Sequence, residues 1–419
     1  MIARLRQTYH QFPGKFWVLV LTVFIDMIGG TLLFPFYALY ITSRFNVGMA
    51  TAGIIIGLNS ISGLVGSTIG GALTDKFGRR NIILFGLIFS AFSTLALGFV
   101  SELSVLYPLS ILIGFLGSIA GPAHQAMVAD MLPEEKRQDG YGIIRVVANI
   151  SWMIGPIIGG FIAARSYLML FVLDAILSSI TAVIVFKAIP ETMPERSPDH
   201  AHESILKTLA GYWKVTRDKS YMAYLFVSML MLLVYQQMYS TMSVYLRDEH
   251  QIPTQQYGFL LTISAITVVL TQLWVTQKTK GKPPFLMMAL GTVFYMIGFT
   301  MFGFVTAYIL FAAAIIIITI GEMITVPVSQ YLAAKFAPED MRGRYMAFFS
   351  LAWSLPSSIG PWAAGMILDR YNPNLVWYGG GVILAIAVLG FVLLNMGLHR
   401  QTRFTPQTTE ASIPASTEG

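Results

Sequence analysis

Three carboxylic acids lie inside long apolar segments of the chain, where ionisable groups are rare. These residues are Asp26, Asp174 and Glu322, and the other acidic residues lie in polar segments or at segment ends. A carboxylate at the centre of a bilayer costs about 2.5 to 3.5 kcal/mol on insertion scales, so acids at that depth usually face a cavity and have a function. Their chemistry is to bind and release protons or to attract cations.

Asp26 and Glu322 are the main candidates for proton exchange. Each lies about 15 Å or more into its apolar segment, at 1.5 Å per helical residue, which is near the middle of a bilayer core. The alternative is a structural hydrogen bond to a neighbouring helix, which we favour for Asp174 because it lies nearer a helix end. His124 is a secondary candidate, although a lone histidine more often packs helices together.

Composition indicates that these acids belong to a membrane protein. The 419-residue chain is 55% hydrophobic and 11% charged, whereas soluble domains are about 25% charged. The apolar segments have helix length and lack the alternation of barrel strands. There is no cysteine, which excludes thiolate metal sites, and the basic residues are scattered through short segments, which argues against nucleic-acid binding.

Twelve membrane-spanning helices are predicted, since a crossing takes about 20 apolar residues. They cover residues 16–42, 50–74, 81–100, 105–131, 141–164, 166–188, 221–246, 256–276, 284–305, 307–334, 344–368 and 375–398. With the N-terminus inside, 22 of the 27 lysines and arginines lie in inner segments and four lie in outer loops. The positive-inside rule then predicts that both termini are cytoplasmic, and we expect a bacterial cytoplasmic (inner) membrane.

An internal repeat divides the predicted helices into two halves. The segments beginning at Pro122 and Pro327 share a proline, a glutamine, an alanine, a second proline, a glutamate and an arginine at a constant separation of 205 residues. The same separation relates three further pairs: Gly53 and Gly258, Gly155-Pro156 and Gly360-Pro361, and Gly160 and Gly365. We therefore predict two six-helix halves in parallel repeat, residues 1–188 and 221–398, a cytoplasmic linker at 189–220, and a disordered cytoplasmic tail at 399–419.

A loop rich in glycine and arginine follows the second predicted helix. Residues 71–80 read GALTDKFGRR, which resembles the G-x-x-x-D-[RK]-x-G-R-[RK] loop of the major facilitator superfamily. The resemblance implies that Arg79 pairs with Asp130 at the end of helix 4, and that Asp75 lies by the positive end of helix 11. The implied cytoplasmic gate consists of Gly71, Asp75, Gly78, Arg79, Arg80 and Asp130, with Arg145 in helix 5 as a nearby gate or structural residue. The alternative is a simple positive-inside loop.

Helix 5 carries a series of small residues that resembles the antiporter motif of the same superfamily. The motif residues are Gly142, Gly155, Pro156, Gly159 and Gly160, with Ser151 where a further glycine is usual. That motif belongs mainly to exporters, and the alternative is a packing face without directional meaning. Helix 1, with Asp26 and Pro35, is similar to the twelve-helix drug/proton antiporters. Ile113 stands where those antiporters usually have an arginine.

Helix 7 contains an unusually polar and aromatic stretch for a membrane helix. Tyr235, Gln236, Gln237 and Tyr239 are our candidates for lining a substrate cavity, because helix 7 lines the cavity in the superfamily. Tyrosines offer apolar faces that attract cations, and glutamines form hydrogen bonds with varied ligands. A polar seam between helices is the alternative.

Together these residues lead to a functional hypothesis. The resemblance implies a secondary transporter that works by alternating access. The two mid-membrane acids, and the absence of a lysine or arginine at that depth, favour proton-coupled efflux of lipophilic cations by a monomer with no cofactor besides the proton gradient. The alternative is a proton-coupled or facilitative transporter of a specific metabolite or lipid. An enzyme is disfavoured, because the sequence contains no HExxH, P-loop or GxSxG motif.

Overall fold

The computed structural model of the chain describes residues 11–193, 213–338 and 341–398. In these ranges the chain forms twelve long helices and no strand, as the sequence predicts. The predicted tail, 399–419, and most of the predicted linker, 194–212, lie outside the described residues.

The helices of each half follow one another along the chain with short connections. The first six are α1 (Gly14–Phe45), α2 (Met49–Phe77), α3 (Arg79–Phe99), α4 (Leu103–Met131), α5 (Glu134–Ala163) and α6 (Tyr167–Ala188). The second six are α7 (219–250), α8 (Thr254–Thr279), α9 (Pro284–Met301), α10 (Tyr308–Phe336), α11 (Arg342–Arg370) and α12 (Leu375–Leu398). Ten of the twelve are long and apolar enough to cross a membrane. The other two, α8 and α11, contain 26 and 29 residues, which is long enough for a crossing.

Helices α1 and α7 are interrupted in their middle, where the sequence predicted continuous spans. A 3₁₀ turn at Phe34–Phe36 interrupts α1 around Pro35, which has no N–H for the helical ladder. A second 3₁₀ turn, Gln236–Tyr239, interrupts α7 without a proline. Short 3₁₀ segments inside long helices often mark functional positions. Both interruptions border the cavity described below.

Helix α5 begins seven residues earlier than predicted, at Glu134 instead of residue 141. Pro133 precedes its first turn, and Glu134 and Glu135 occupy that turn. Acidic side chains at a helix N-terminus are favourable, because they compensate the positive end of the helix dipole. The helix therefore extends beyond its apolar segment, which alone defined the prediction.

The two halves have the same pattern of helix packing, which confirms the parallel repeat. Helix α1 packs on α5 and α6, as α7 packs on α11 and α12. Likewise α2 packs on α4 and α3 on α6, as α8 packs on α10 and α9 on α12. Each half is thus one six-helix bundle.

The largest contacts between the halves are those of two pairs of helices, α2 with α11 and α5 with α8, and α1 and α7 contact each other less extensively. The repeat relates these two pairs to each other, so the interface is pseudo-symmetric. We call the membrane face that carries residues 71–80 the motif face, and the opposite face, where α1 ends and α2 begins, the far face.

Repeated glycines lie where the halves come closest. A Cβ added at Gly53 would lie 2.4 Å from the backbone nitrogen of Trp362 and 2.5 Å from the carbonyl carbon of Pro361. A Cβ added at its repeat partner Gly258 would lie 3.1 Å from the carbonyl oxygen of Pro156. Since the repeat maps Pro156 onto Pro361, the two contacts are equivalent. Both lie toward the far face, where the backbones of the two halves are nearly in contact.

Candidate functional site

A cavity of about 220 Å³ lies between the halves, beside the interruptions of α1 and α7. Four helices, two from each half, contribute to its wall. The lining residues are Phe34, Tyr37, Ile56, Ser60, Gln236, Tyr239, Ser240, Ser357 and Pro361. Two of the four predicted cavity residues, Gln236 and Tyr239, are among them. None of these described lining residues is charged.

Aromatic side chains from both halves meet at this cavity. The ring of Trp152 in α5 lies 5.8 Å from Phe34 and 5.2 Å from Tyr239, edge to face in both cases. Tyr239 in turn contacts Tyr235, and Tyr235 contacts Trp353 in α11 at 6.3 Å. Sequence reasoning identified only the two tyrosines. Trp152 and Trp353 could have been found as tryptophans at mid-depth in helices that face the other half.

Glu322 lies behind the tyrosines and not on the cavity wall. The hydroxyls of Tyr235 and Tyr239 are 3.4 Å apart, and both tyrosines, together with Tyr295, interact electrostatically with Glu322. Tyr239 lines the cavity and Tyr235 interacts with Glu322, so the two tyrosines link the carboxyl group to the cavity wall. The site thus combines an apolar wall with one carboxyl group in the layer behind it.

Asp26 is also absent from the cavity wall, and it has an acidic neighbour. Its charged neighbour is Asp174 in α6, which is buried and lies against Gly29 one turn along α1. Asp174 also interacts with the Thr94 side chain in α3. Asp26 and Glu322 do not line this cavity, one lying in each half, so the prediction that together they make the mid-membrane region acidic stays a prediction. Asp174 joins Asp26 instead of serving an isolated structural role.

The predicted cavity residue Gln237 has a structural position. Its side-chain amide donates to the carbonyl of Leu233 at 2.7 Å and accepts from the Thr241 hydroxyl at 2.6 Å. A buried amide whose donor and acceptor are both used within its own helix is not available to a ligand. Gln237 therefore stabilises the irregular turn of α7 and does not line the cavity.

His124 lies in α4 with a buried Nδ1 that has no hydrogen-bond partner within the described part of the chain. Its neighbours along the helix, Ala123 and Met127, are buried in the core of the first half. An unpaired buried ring nitrogen costs free energy unless water or a ligand satisfies it. His124 remains a candidate for proton exchange on this ground.

The motif loop forms ion pairs within the first half. Arg79 Nε donates to Asp130 at 2.9 Å, and Arg79 Nη1 lies 3.5 Å from Asp75. The Arg79 side chain is 11% exposed, whereas Asp75 is 75% exposed. The Arg79–Asp130 pair joins the start of α3 to the end of α4, as the resemblance implies. It does not connect the two halves.

Glu191 completes this loop and was not identified from the sequence. Its carboxylate accepts hydrogen bonds from the backbone N–H groups of Arg79 at 2.8 Å and Arg80 at 3.1 Å. It therefore caps α3 with a negative charge. Gly78 has a positive φ of 92°, and a Cβ there would collide with this carboxylate, so glycine is required on both grounds. Glu191 follows α6 in a segment that sequence reasoning treated as linker.

The remaining gate candidates differ in their contacts. Arg80 donates to the carbonyl of Phe186 and lies over the Phe186 ring at 5.2 Å. A Cβ at Gly71 would have nothing within 4 Å, so no close approach requires glycine there. Arg145 Nη1 donates to Gln330 Oε1 of the second half at 2.7 Å. Its partner is thus Gln330 in α10.

The predicted antiporter motif brings α5 close to α1 and α8. A Cβ at Gly155 would lie 2.1 Å from Thr31 Oγ1, and one at Gly159 would lie 2.4 Å from the carbonyl oxygen of Leu32. Gly160 faces Gly258 of the second half at 3.2 Å. Ser151 accepts a hydrogen bond from Thr31 at its backbone carbonyl. Gly142 has nothing within 4 Å of an added Cβ, so it takes no part in this packing.

Two polar contacts join the halves at the far face. Asp369 at the end of α11 accepts from the backbone N–H groups of Met49 and Ala50, both at 2.8 Å. Arg247 in α7 donates to the hydroxyls of Thr42 and Ser43 in α1, at 2.9 and 2.6 Å. With the glycine contacts, these bonds seal the far face in this structure.

Two repeated six-helix bundles, joined through pseudo-symmetric helix pairs around a central cavity, define the architecture of a secondary transporter. The sequence profile of the Major Facilitator Superfamily matches residues 19–361. The chain therefore belongs to the Major Facilitator Superfamily, whose members are membrane transporters and not an enzyme family.

Relatives within the superfamily cover nearly the whole chain. The uncharacterized MFS-type transporter YttB of Bacillus subtilis is 28% identical over 96% of this chain and 100% of its own. A Na(+), Li(+), K(+)/H(+) antiporter of Planococcus maritimus is 25% identical over 87% of this chain and 91% of its own. The quinolone resistance protein NorA of Staphylococcus aureus is 22% identical over 90% and 95%. A crystal structure of the nucleoside transporter NupG has a TM-score of 0.75 at 13% identity, covering 91% of this chain and 99% of its own, and so shares the fold.

Proposed function

We propose that this protein is a proton-coupled exporter of lipophilic cations that works by alternating access of its two halves. The observation that carries the proposal is the aromatic wall of the central cavity with Glu322 directly behind it. Cations are attracted to the faces of aromatic rings, and a desolvated contact of this kind contributes about 2 kcal/mol. An anionic cargo would need a lysine or arginine, and the described lining residues include neither.

Proton coupling follows from competition at a carboxyl group. A cation in the cavity is stabilised by a deprotonated Glu322, and a proton on Glu322 removes that attraction. Tyr235 interacts with the carboxyl group and its hydroxyl is close to that of Tyr239, which lines the cavity. Protonation of Glu322 can therefore rearrange the tyrosine hydrogen bonds and so alter the cavity wall. Cargo and proton would therefore bind alternately.

The Asp26–Asp174 pair is a second candidate for proton binding. Two adjacent carboxylates repel each other, and one proton between them relieves that repulsion. Because both acids lie in the first half, their protonation would act on the packing of α1 against α6 and not on the cargo directly.

Direction follows from the expected orientation. If the motif face is cytoplasmic, as the positive-inside rule predicts, the far-face seal holds the protein closed to the outside. In this state cargo would enter from the cytoplasm or the inner leaflet. The seal must then open for release, and the motif face must close. Both termini are proposed to be cytoplasmic in a bacterial inner membrane, with the monomer as the working unit.

Two relatives support this combination of properties. The names of the Planococcus and Staphylococcus proteins describe a monovalent cation/H(+) antiporter and a quinolone resistance protein. Both are consistent with cation/proton exchange and with drug efflux. The aromatic lining favours a lipophilic cation over a small inorganic one, which prefers oxygen ligands.

The test is transport of a fluorescent lipophilic cation, such as ethidium, into inside-out vesicles. Acidifying the vesicle interior should drive ethidium uptake by the wild type. Glu322→Gln should abolish the dependence on the proton gradient, because glutamine cannot release a proton. Glu102→Gln, at an acid in the far-face connection between α3 and α4, is the matched control and should transport as the wild type does.

Three outcomes would contradict the proposal. They are wild-type vesicles that move no lipophilic cation, wild-type vesicles that exchange only Na⁺ or K⁺ for protons, and Glu322→Gln vesicles that keep full proton-driven uptake. The first would favour a specific metabolite or lipid as cargo, and the second an inorganic cation antiporter.

A further inference from the structure

The internal repeat reverses the charge at two positions of the motif face. At the separation of 205 residues, Asp130 corresponds to Lys335, and Asp75 corresponds to Lys280. Asp130 and Lys335 lie in the gap-free part of the repeat, so their correspondence is unambiguous. In the first half Arg79 pairs with both Asp75 and Asp130. The second half has a lysine at the position of each of these two acids.

The first half therefore serves as an internal reference for the second. In the first half, Asp130 and Glu191 bring two carboxylates to the α2–α3 loop, where they contact Arg79 and cap α3. The equivalent loop between α8 and α9 contains Lys280 and Lys282 around Gly281, which has a positive φ of 77°. At the same separation Arg79 corresponds to Pro284 and Glu191 to Met396, so the second half lacks this arginine and both carboxylates and has lysines in the loop and at position 335 instead.

A pocket of about 490 Å³ occupies this position in the second half. Its basic residues are Lys280, Lys282 and Lys335, and no carboxylate occurs among the described residues that line it. Its apolar residues include Phe285, Met287, Pro327, Val328 and Leu398. The pocket thus combines three positive charges with an apolar floor, which fits an amphipathic anion.

We propose that this pocket binds the headgroup of an anionic phospholipid from the leaflet at the motif face. The phosphate would take the place that carboxylates hold in the first half, close to the three lysines. Basic pockets between membrane helices are suited to anionic headgroups, because each lysine adds attraction within a screening length of the membrane surface. The proposal does not depend on the identity of the cargo.

The surroundings of the pocket favour a lipid over a soluble anion. Tyr331 lies on the rim with 52% of its surface exposed, and tyrosines at the membrane interface lie at headgroup depth. Below the rim, Leu290 of α9 and Leu393 of α12 are exposed, so apolar surface continues from the pocket toward the bilayer core. Acyl chains have a continuous surface to pack on, which a free phosphate would not use.

The test is native mass spectrometry of the delipidated full-length protein with phosphatidylglycerol and with phosphatidylethanolamine of the same acyl chains. The wild type should bind phosphatidylglycerol preferentially. Combined Lys280→Gln, Lys282→Gln and Lys335→Gln should weaken this binding about a hundredfold, at roughly fivefold per lysine. Combined Lys15→Gln, Lys136→Gln and Lys187→Gln removes the same charge from the first half, outside the pocket, and should leave binding unchanged.

A single variant tests the comparison between the halves directly. Lys335→Asp restores the acid that the first half has at this position, and its carboxylate should displace the lipid by pairing with the neighbouring lysines. If the triple pocket variant does not purify as a monodisperse protein, the single Lys→Gln variants should each show the fivefold loss.

The proposal is overturned if the pocket variants keep the wild-type preference, or if the control variant loses as much binding as they do. It is also overturned if millimolar inorganic phosphate displaces phosphatidylglycerol fully, since the site would then recognise a soluble anion.

Discussion

Asp369 caps α2 from the other half of the molecule. Its two carboxylate oxygens accept from the backbone N–H groups of Met49 and Ala50, both at 2.8 Å. Gly48, which precedes α2, offers no side chain for this purpose, so the first N–H groups of the helix depend on the second half for a partner. The cap exists only while the far face is closed, which makes it a contact specific to one state of the transport cycle.

Asp369→Ala should destabilise the far-face seal. An acidic N-cap stabilises a helix start by about 1 kcal/mol, and up to about 2 in favourable geometry, so the closed population should fall roughly five- to tenfold or more relative to the open one. The measurement is a spin-label distance between Arg44→Cys and Tyr371→Cys, at exposed far-face positions of opposite halves. Since the chain has no native cysteine, both labels are unambiguous.

Glu249→Ala is the control for this cap, because it removes an exposed far-face acid that does not contact α2. It should leave the distance distribution unchanged. An unchanged distribution in Asp369→Ala would mean that the glycine contacts and the Arg247 hydrogen bonds hold the seal without this cap.

The glycine contacts should respond unequally to the same substitution. Gly53→Ala brings a methyl group to 2.4 Å from the Trp362 backbone, which can retreat only if the halves separate. Gly258→Ala brings one to 3.1 Å from its neighbours, a conflict that shifts of a few tenths of an ångström relieve. Overpacking costs about 1 to 3 kcal/mol, so the same spin-label pair should show a longer distance for Gly53→Ala. Equal effects would mean that the backbone adapts at both positions.

The contacts that unite the halves were partly predictable from the sequence. The separation of 205 residues singled out Gly53 and Gly258 as equivalent to each other. It also singled out Pro156 and Gly160, each with its own partner in the second half. Their role can be predicted because glycine and proline in a membrane helix often mark a close approach of two backbones, whichever helix is the partner. The twelve spans were predictable for a similar reason, since apolar length alone defines them.

Asp369 and Glu191 could not be predicted in the same way. Each lies at a helix end near other polar residues, where a carboxylate is ordinary, and each acquires its role from a helix start that is distant along the chain. The interruption of α7 at Gln236 was missed because no proline marks it, and the polar residues there were interpreted as cavity lining. Position along the helix predicts the depth of Asp26 but not the direction of its side chain, so its distance from the cavity could not be predicted.

The antiporter motif contains one position that should tolerate alanine and one that should not. Gly155→Ala places a methyl group 2.1 Å from Thr31 Oγ1 and 2.9 Å from the Thr31 backbone, so both stability and transport should fall. Gly142→Ala meets nothing within 4 Å and should raise stability by up to about 1 kcal/mol, because alanine favours a helix over glycine. Thermal unfolding of the purified protein, with ethidium transport in parallel, measures both. A loss of transport in Gly142→Ala without a loss of stability would indicate a role in another state.

The two acids that contact Arg79 should have different roles. We expect Asp130 to stabilise the fold in every state and Asp75 to act in only one state of the transport cycle. Asp130→Asn removes the charge that pairs with the largely buried Arg79 at 2.9 Å, and should lower stability by about 1 to 2 kcal/mol in any state. Asp75→Asn weakens an exposed i, i+4 pair at 3.5 Å, and loss of this pair should lower stability by about 0.5 kcal/mol or less. If Asp75 meets α11 when the motif face closes, Asp75→Asn should instead shift the spin-label distances toward the structure described here. Equal losses of stability in both variants would show that Asp75 supports the fold in the same way as Asp130, and the gate would then have to be sought at the Arg145–Gln330 contact.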